Sequence, residues 1–207
     1  MNKGRIVIIS GPSGSGKTTL HKKLLTSPKL KGRLMKSISV TTRFPRWGER
    51  HGRDYLFMPH KQFLQKRKDG YFLEWQKVFD NYYGTPKENV DRLLRAGKNV
   101  LLCIDVKGAK VVARQYPDAV RIFVKVPSMR ELKKRLQKRG SESAAHLKLR
   151  LKTARQELRE AKHYTHTIIN DQLSTALRRL IKIVVEELSS AHPQCVSSNL
   201  KVNSVPD

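Results

Sequence analysis

The residues best equipped for chemistry stand near the start of the chain, in Gly11-Pro12-Ser13-Gly14-Ser15-Gly16-Lys17-Thr18. Each fixed position of the pattern G-x-x-x-x-G-K-[ST] is met. Glycines let the backbone curl until successive N–H groups point inward at phosphate oxygens. The helix expected from Lys17 adds the positive end of its dipole. Lys17 supplies a mobile cation for the β and γ phosphates, and the Thr18 hydroxyl is a hard oxygen ligand for Mg²⁺. With Thr19 beside it, this stretch reads as a cradle for a nucleoside triphosphate; the competing reading is a chance glycine turn before a helix. Asp105 ends the apolar run 100–104, where a second carboxylate of the magnesium shell is expected. Its plainer reading is an acid that caps the next turn, which Gly108 suits.

A phosphate cradle does not say what receives the phosphate; residues 37–86 do. They begin with Ser37-Ile-Ser39-Val-Thr-Thr-Arg43-Phe-Pro-Arg46-Trp-Gly-Glu and continue through Tyr55. Phe72-Leu-Glu74-Trp75 and Asn81-Tyr-Tyr83-Gly-Thr85-Pro86 follow. In this ordered set the sequence resembles the guanylate kinase family, collinearly from the phosphate cradle to about Leu188. The resemblance implies ATP as donor and GMP as acceptor, with GMP held by a small inserted domain. Arg43, Arg46, Tyr55 and Tyr83 match the residues that grip its phosphate, and guanidinium forks suit a phosphate dianion. Glu74 would accept hydrogen bonds from guanine N1–H and the N2 amino group. Ser39 and Thr85 match positions at the base edge, and Asp105 is placed among the GMP contacts as well as in the metal shell. Adenine would leave a buried Glu74 without partners, which is how such a site discriminates. The plainer readings are a surface carboxylate for Glu74 and core aromatics for the tyrosines.

The resemblance extends to an arginine-rich lid, Leu132-Lys-Lys-Arg135-Leu-Gln-Lys-Arg139-Gly140, followed by Arg150. It implies in-line transfer in which Lys17, Mg²⁺, Arg43, Arg139 and Arg150 converge on the moving phosphoryl group, with Arg135 nearer the nucleotide. Asn170-Asp171 resembles the family's turn near adenine, with Gln172 in place of its last acid. A further departure is Cys103, where the family typically carries an acid. A thiol is a poor acceptor for an amino group, so the expectation is weaker GMP affinity or another acid nearby. Lys107 replaces the usual glutamine.

These residues need a scaffold. Arg5-Ile-Val-Ile-Ile-Ser10 is a β-branched run ending at the glycine turn, and a helical pattern follows to about Leu25. Residues 99–105, 120–126 and 167–170 are further strand patterns, and helical stretches follow them. Leu173, Leu177, Leu180, Ile181, Val184 and Leu188 share one helix face. The expected fold is α/β: a three-layer P-loop NTPase domain with a parallel sheet, an inserted GMP-binding subdomain and a helical lid. The expected domain is 1–188, with core 1–36, 91–130 and 161–188, insertion 37–90 and lid 131–160. In the lid Leu147, Leu151, Ala154, Leu158 and Ala161 form a stripe. Residues 189–207 read as a frayed tail.

Composition narrows the class. Two cysteines, Cys103 and Cys195, make no disulfide framework or metal spacing, and no run of apolar residues is long enough to span a membrane. The N-terminus runs directly into a strand, so the expected location is the cytoplasm. Against 17 acids stand 43 lysines and arginines, a formal charge of +26. Such a field draws polyanions of any kind, and no recognition motif singles out a dedicated nucleic-acid or membrane partner. The expected state is a monomer or homodimer. Two rival functions are a catalytically dead phosphoprotein-binding module and a kinase for another phosphorylated acceptor. The intact Lys17, Thr18, Arg43, Arg139 and Arg150 weigh against the first. Glu74 with its neighbours and the Asn81–Pro86 stretch weigh against the second.

Overall fold

A computed structural model of the chain describes residues 3–78, 80–138 and 144–190. The strand β1 (Ile6–Ser10) is buried along its whole length, as its unbroken apolar run requires of a strand covered on both faces. After the glycine loop come α1 (Lys17–Leu25) and β2 (Leu34–Lys36). An inserted unit follows: β3 (Val40–Thr41), β4 (Leu56–Phe57), α2 (His60–Lys68), β5 (Phe72–Val78) and β6 (Asn81–Pro86). The chain then returns through α3 (Lys87–Arg95), β7 (Asn99–Cys103), α4 (Val106–Gln115), β8 (Val120–Lys125), α5 (Met129–Gln137) and α6 (Ala144–Arg159). A 3₁₀ turn over Glu160–His163, β9 (His166–Ile169) and α7 (Leu173–Ser190) close it.

The main sheet has the order β2-β7-β1-β8-β9, and each neighbouring pair is parallel. Alternation along β1 divides the core in two. Val7 and Ile9 face α1 and α7 through Leu20, Leu24, Leu180 and Val184. Ile6 and Ile8 face α3 and α4 through Val90, Leu94, Ala109 and Val112. Helices thus cover both faces of a parallel sheet, the expected three-layer arrangement. The carboxyl ends of β1 and β7 lie side by side, Ile9 opposite Cys103, where ligands bind in open α/β sheets.

The inserted unit carries its own sheet, ordered β4-β3-β6-β5. β3 pairs with β4 in parallel, while β6 is antiparallel to both β3 and β5. Phe63 of α2 stacks on Phe72 at 4.4 Å and on Tyr82 at 5.2 Å between ring centres, giving this small sheet a core of aromatics.

The lid stripe divides rather than packing on one surface. Leu147, Leu151 and Ala154 cover Leu132 and Leu136 of α5, whereas Leu158 and Ala161 pack on Val106 and Phe123 of the main domain. Leu158 stands in the last turn of α6 and Ala161 in the 3₁₀ turn that follows it, so the C-terminal end of the stripe meets the main domain instead of α5. The last strand is His166–Ile169 rather than 167–170, so Asn170 stands beyond it. The last helix continues to Ser190, two residues past the expected end at Leu188. The rest of the expected tail, residues 191–207, lies outside the described residues, as do Arg139 and Gly140.

Candidate active site

The glycine loop turns sharply between β1 and α1. Gly16 stands before α1 with φ 88°, a left-handed conformation that glycine adopts without strain. It also has no room for a side chain: a Cβ would sit 2.2 Å from the Asn170 amide nitrogen. That amide is buried and donates to the Ser15 carbonyl at 2.8 Å. The Asn170 carbonyl accepts from Arg135 at 3.0 Å, and Arg135 also pairs with Glu131. Asn170 and Arg135, expected at the nucleotide, therefore brace the loop from behind. No side chain caps α1, and the start of a helix is where an anion is drawn. Lys17 is folded back, its ammonium donating to the carbonyls of Gly11 and Pro12.

A groove of about 360 Å³ runs from this loop to the inserted unit. Ser13, Lys17, Thr18 and Thr19 line one side, Arg43, Arg46 and Tyr83 the other, and His146 and Arg150 of α6 the third. Among the described lining residues, Lys17, Arg43, Arg46 and Arg150 face a single acid, Asp80. This is an electropositive slot between the glycine loop and a pair of arginines.

Arg43 is held by a residue not foreseen in the sequence. Glu49 takes both its terminal nitrogens, at 2.9 and 3.1 Å, and accepts from the Arg46 backbone N–H at 2.8 Å. These bonds from Arg43 and Arg46 hold the Glu49 carboxyl below its usual range despite burial. Arg43 also lies over the Tyr55 ring, which meets Tyr83 edge to face. The signal was present: Glu49 follows Gly48 six residues after Arg43, one turn's reach away.

Glu74 and Thr85 are paired across β5 and β6. The Thr85 hydroxyl donates to Glu74 at 2.6 Å, and both side chains are buried. Burial pushes the Glu74 carboxyl up to about 7; the Thr85 hydrogen bond opposes this and nearby Asp105 adds to it. Neither residue lines the groove. Asp105 caps α4, accepting from the Gly108 N–H at 2.7 Å, so its plainer reading holds at least for one oxygen. Burial also raises its carboxyl above the usual range, opposed by Gly108, Lys17 and Lys107.

Cys103, Ser37, Ser39 and Tyr55 line a second, smaller cavity of about 50 Å³ beside the groove. Two acids also line it, Glu49 and Asp54, but neither replaces the missing one. Glu49 is engaged by Arg43. Asp54 is clamped by Lys22 at 2.8 Å, by Arg53 and by the Arg50 N–H, bonds that drive its carboxyl far below the usual range. Burial pushes the Cys103 thiol up, leaving it protonated and unreactive. The cavity thus offers hydroxyls and the Lys36 ammonium beside Cys103, where the resemblance implies an acid. His21, also at this cavity, is buried and lowered to about 4, first by burial and then by Lys36 and Lys22.

Glu157 of α6 was also missed. Burial raises its carboxyl to about 7, Lys17 lowers it and Asp105 raises it, so it stands within electrostatic reach of both. It lies one residue before Leu158, at the point where α6 leaves the lid and joins the main core. Among the described residues no three metal-binding side chains converge. The hard oxygens of Thr18 and Asp105 nevertheless suit Mg²⁺, which is commonly held by one or two protein groups together with phosphates and water. Arg139 lies outside the described residues.

Comparison with known proteins agrees over nearly the whole chain. The family model described as "Guanylate kinase" matches residues 3–187. A guanylate kinase of Caldanaerobacter subterraneus subsp. tengcongensis is 43% identical over 185 residues, 89% of this chain and 88% of the relative. One of Clostridium tetani is 42% identical over 90% of this chain and 88% of its own. The crystal structure of guanylate kinase from Anaplasma phagocytophilum superposes with a TM-score of 0.74 at 32% identity, covering 91% of this chain and 88% of that one.

Proposed function

The chain belongs to the guanylate kinase family, and from that membership we propose that it transfers the γ-phosphate of ATP to GMP, giving ADP and GDP. The observation that carries the reading is the single groove that joins the phosphate loop to the arginine clamp. ATP would lie with its phosphates on the Gly11–Thr19 loop, and GMP with its phosphate between Arg43, Arg46, Tyr55 and Tyr83. Glu74, Thr85, Ser39 and Asp105 would meet the guanine base.

A GMP phosphate oxygen attacks the γ-phosphorus; the P–O bond to the β-phosphate breaks and ADP leaves. The attacking oxygen is already ionised at neutral pH, so no strong base is needed and catalysis is alignment plus neutralisation of charge. Lys17 leaves the carbonyls of Gly11 and Pro12 and follows the γ-phosphoryl group. Arg43, oriented by Glu49, holds the acceptor. Arg150, and Arg139 from the same lid, cover the transferring group and exclude water. Thr18 and Asp105 would hold Mg²⁺, which would supply positive charge to the transferring phosphates. Asn170 and Arg135 keep the loop in shape.

No helix among the described residues is long and apolar enough to cross a membrane. We place the reaction in the cytoplasm, where both nucleotides are available.

The test is a coupled assay of ADP formation with ATP and Mg²⁺, comparing GMP, AMP, UMP and no acceptor. Turnover with GMP alone is the expected result. A protein that binds ATP and yet turns over no GMP would sink the proposal.

A further inference from the structure

The loop between β3 and β4 displays two aromatic rings to solvent. Phe44 is 90% exposed and Trp47 is as open as in an extended chain, at 102%. Around them stand Arg46, Arg50 and Arg53, all exposed. The guanidinium groups of Arg46 and Arg50 make no hydrogen bond or ion pair with a described residue.

This display is not the accident of a loose loop. Glu49 ties Arg43 to the Arg46 backbone. Asp54 ties the Arg50 N–H, the Arg53 side chain and Lys22 of α1. Arg53 also donates to the Gly48 carbonyl at 2.7 Å, and Lys36 donates to the Asp54 carbonyl at 3.0 Å. The segment is clamped at both ends and across its middle, and it holds two apolar rings outward among cations. The acceptor chemistry uses Arg43 and Arg46; it has no use for Phe44, Trp47 or Arg50.

We propose that this loop is a binding surface for single-stranded nucleic acid, with unpaired bases stacked on Trp47 and Phe44 and a backbone phosphate met by Arg50. Rigid aromatic platforms interleaved with arginines are how such strands are held without sequence preference, and a formal charge of +26 draws the polyanion in. Duplex fits poorly, because its bases are already stacked and the loop offers no helix to a groove. A second copy of this chain also fits poorly. A two-fold contact through the loop would bring two arginine-rich loops together, in molecules that already repel. The proposal departs from the expectation of no dedicated nucleic-acid partner, and it does not depend on the kinase assignment.

The experiment titrates the full chain into labelled oligouridine of about ten nucleotides, followed by fluorescence anisotropy at about 50 and 200 mM NaCl. The parent chain, F44A/W47A and R50A are compared. Both aromatic side chains lie in solvent, so F44A/W47A should keep the parent's melting temperature and GMP-dependent turnover. It should bind the oligonucleotide about tenfold more weakly or worse. R50A should flatten the dependence of log affinity on log salt by roughly 0.7, the share of one phosphate on a single strand. Equal affinity of F44A/W47A and parent would overturn the proposal, leaving only the general field of the molecule. So would parent affinity for heparin or a matched duplex equal to that for the single strand. Loss in F44A/W47A of self-association or of binding to anionic vesicles, with no oligonucleotide binding by the parent, would reassign the surface.

Discussion

Glu74 is the residue on which recognition and stability pull apart. Its carboxyl is raised from 4.5 to about 7 by burial, so the folded chain binds a proton there that the unfolded chain has released. The fold is therefore favoured below pH 4.5 and loses this contribution as pH rises through about 7, at a cost on the order of 3 kcal/mol. Guanine needs the opposite state, since only the carboxylate can accept from both N1–H and the amino group. The KM for GMP should fall as pH rises from about 6 to 8, while the KM for ATP stays level. In E74Q the pH-dependent penalty disappears. At pH 8 its melting temperature should rise by several degrees, and its kcat/KM for GMP should fall by roughly 30- to 150-fold, the effect of about 2–3 kcal/mol of stranded hydrogen bonding. Thermal melts and steady-state kinetics across that pH range check both halves. A melting temperature at pH 8 equal to the parent's would mean that the buried carboxylate finds compensation the empty site does not offer. The sequence placed Glu74 by its motif, but its pairing with Thr85 was invisible there: the β5–β6 register, with its bulge between Phe72 and Glu74, decides which side chains share a face.

At the scale of elements, the site depends on how closely α4 approaches the inserted unit. Gly108 sits in the first turn of α4, and a Cβ there would stand 2.5 Å from a carboxylate oxygen of Glu74. Gly108→Ala should push Glu74 aside, raising the KM for GMP tenfold or more with little change in ATP affinity. Equal loss of both substrates would point to a misplaced α4 instead. Glu49 makes the matching prediction for the β3–β4 loop. E49A removes the carboxylate that takes both terminal nitrogens of Arg43, leaving the Phe44 carbonyl on one of them, and should raise the KM for GMP by roughly tenfold, as expected when a charged hydrogen-bonding partner is lost; E49Q, able to accept from Arg43, should recover part of it. What could be read from the chain follows from range. The phosphate loop, the parallel strands and the amphipathic last helix are local patterns, so their residues announced them. Asn170 bonds to Ser15 across 155 residues, and Glu157 comes within electrostatic reach of Lys17 from the far end of α6; nothing periodic in the sequence marks either. The lid stripe misled for the same reason, since one helical face was read where two surfaces share it.

For the whole molecule the governing quantity is the formal charge of +26. Cations crowd the groove itself, where Lys17, Arg43, Arg46 and Arg150 converge, and they recur on the exposed faces of α2, α5 and α6. Like charges at that density destabilise a compact state by self-repulsion, and salt relieves it, because the screening length falls from about 30 Å at 0.01 M to about 8 Å at 0.15 M. The same field concentrates anionic nucleotides at the groove, and salt weakens that too. Raising NaCl from about 10 to 300 mM should therefore increase the melting temperature of the free chain while raising the KM for both ATP and GMP. Chloride is the required anion. Sulfate or phosphate would occupy the phosphate loop and stabilise the fold by binding it, an effect of mass action rather than of screening. The two trends have opposite signs and one cause, so they test it jointly. If ion pairs such as Lys22–Asp54 and Arg43–Glu49 dominate the electrostatics, the melting temperature falls with salt. Stability flat in salt while KM rises would place the repulsion within the groove alone, where ligand phosphates neutralise it, and would make bound nucleotide the main electrostatic stabiliser of the molecule.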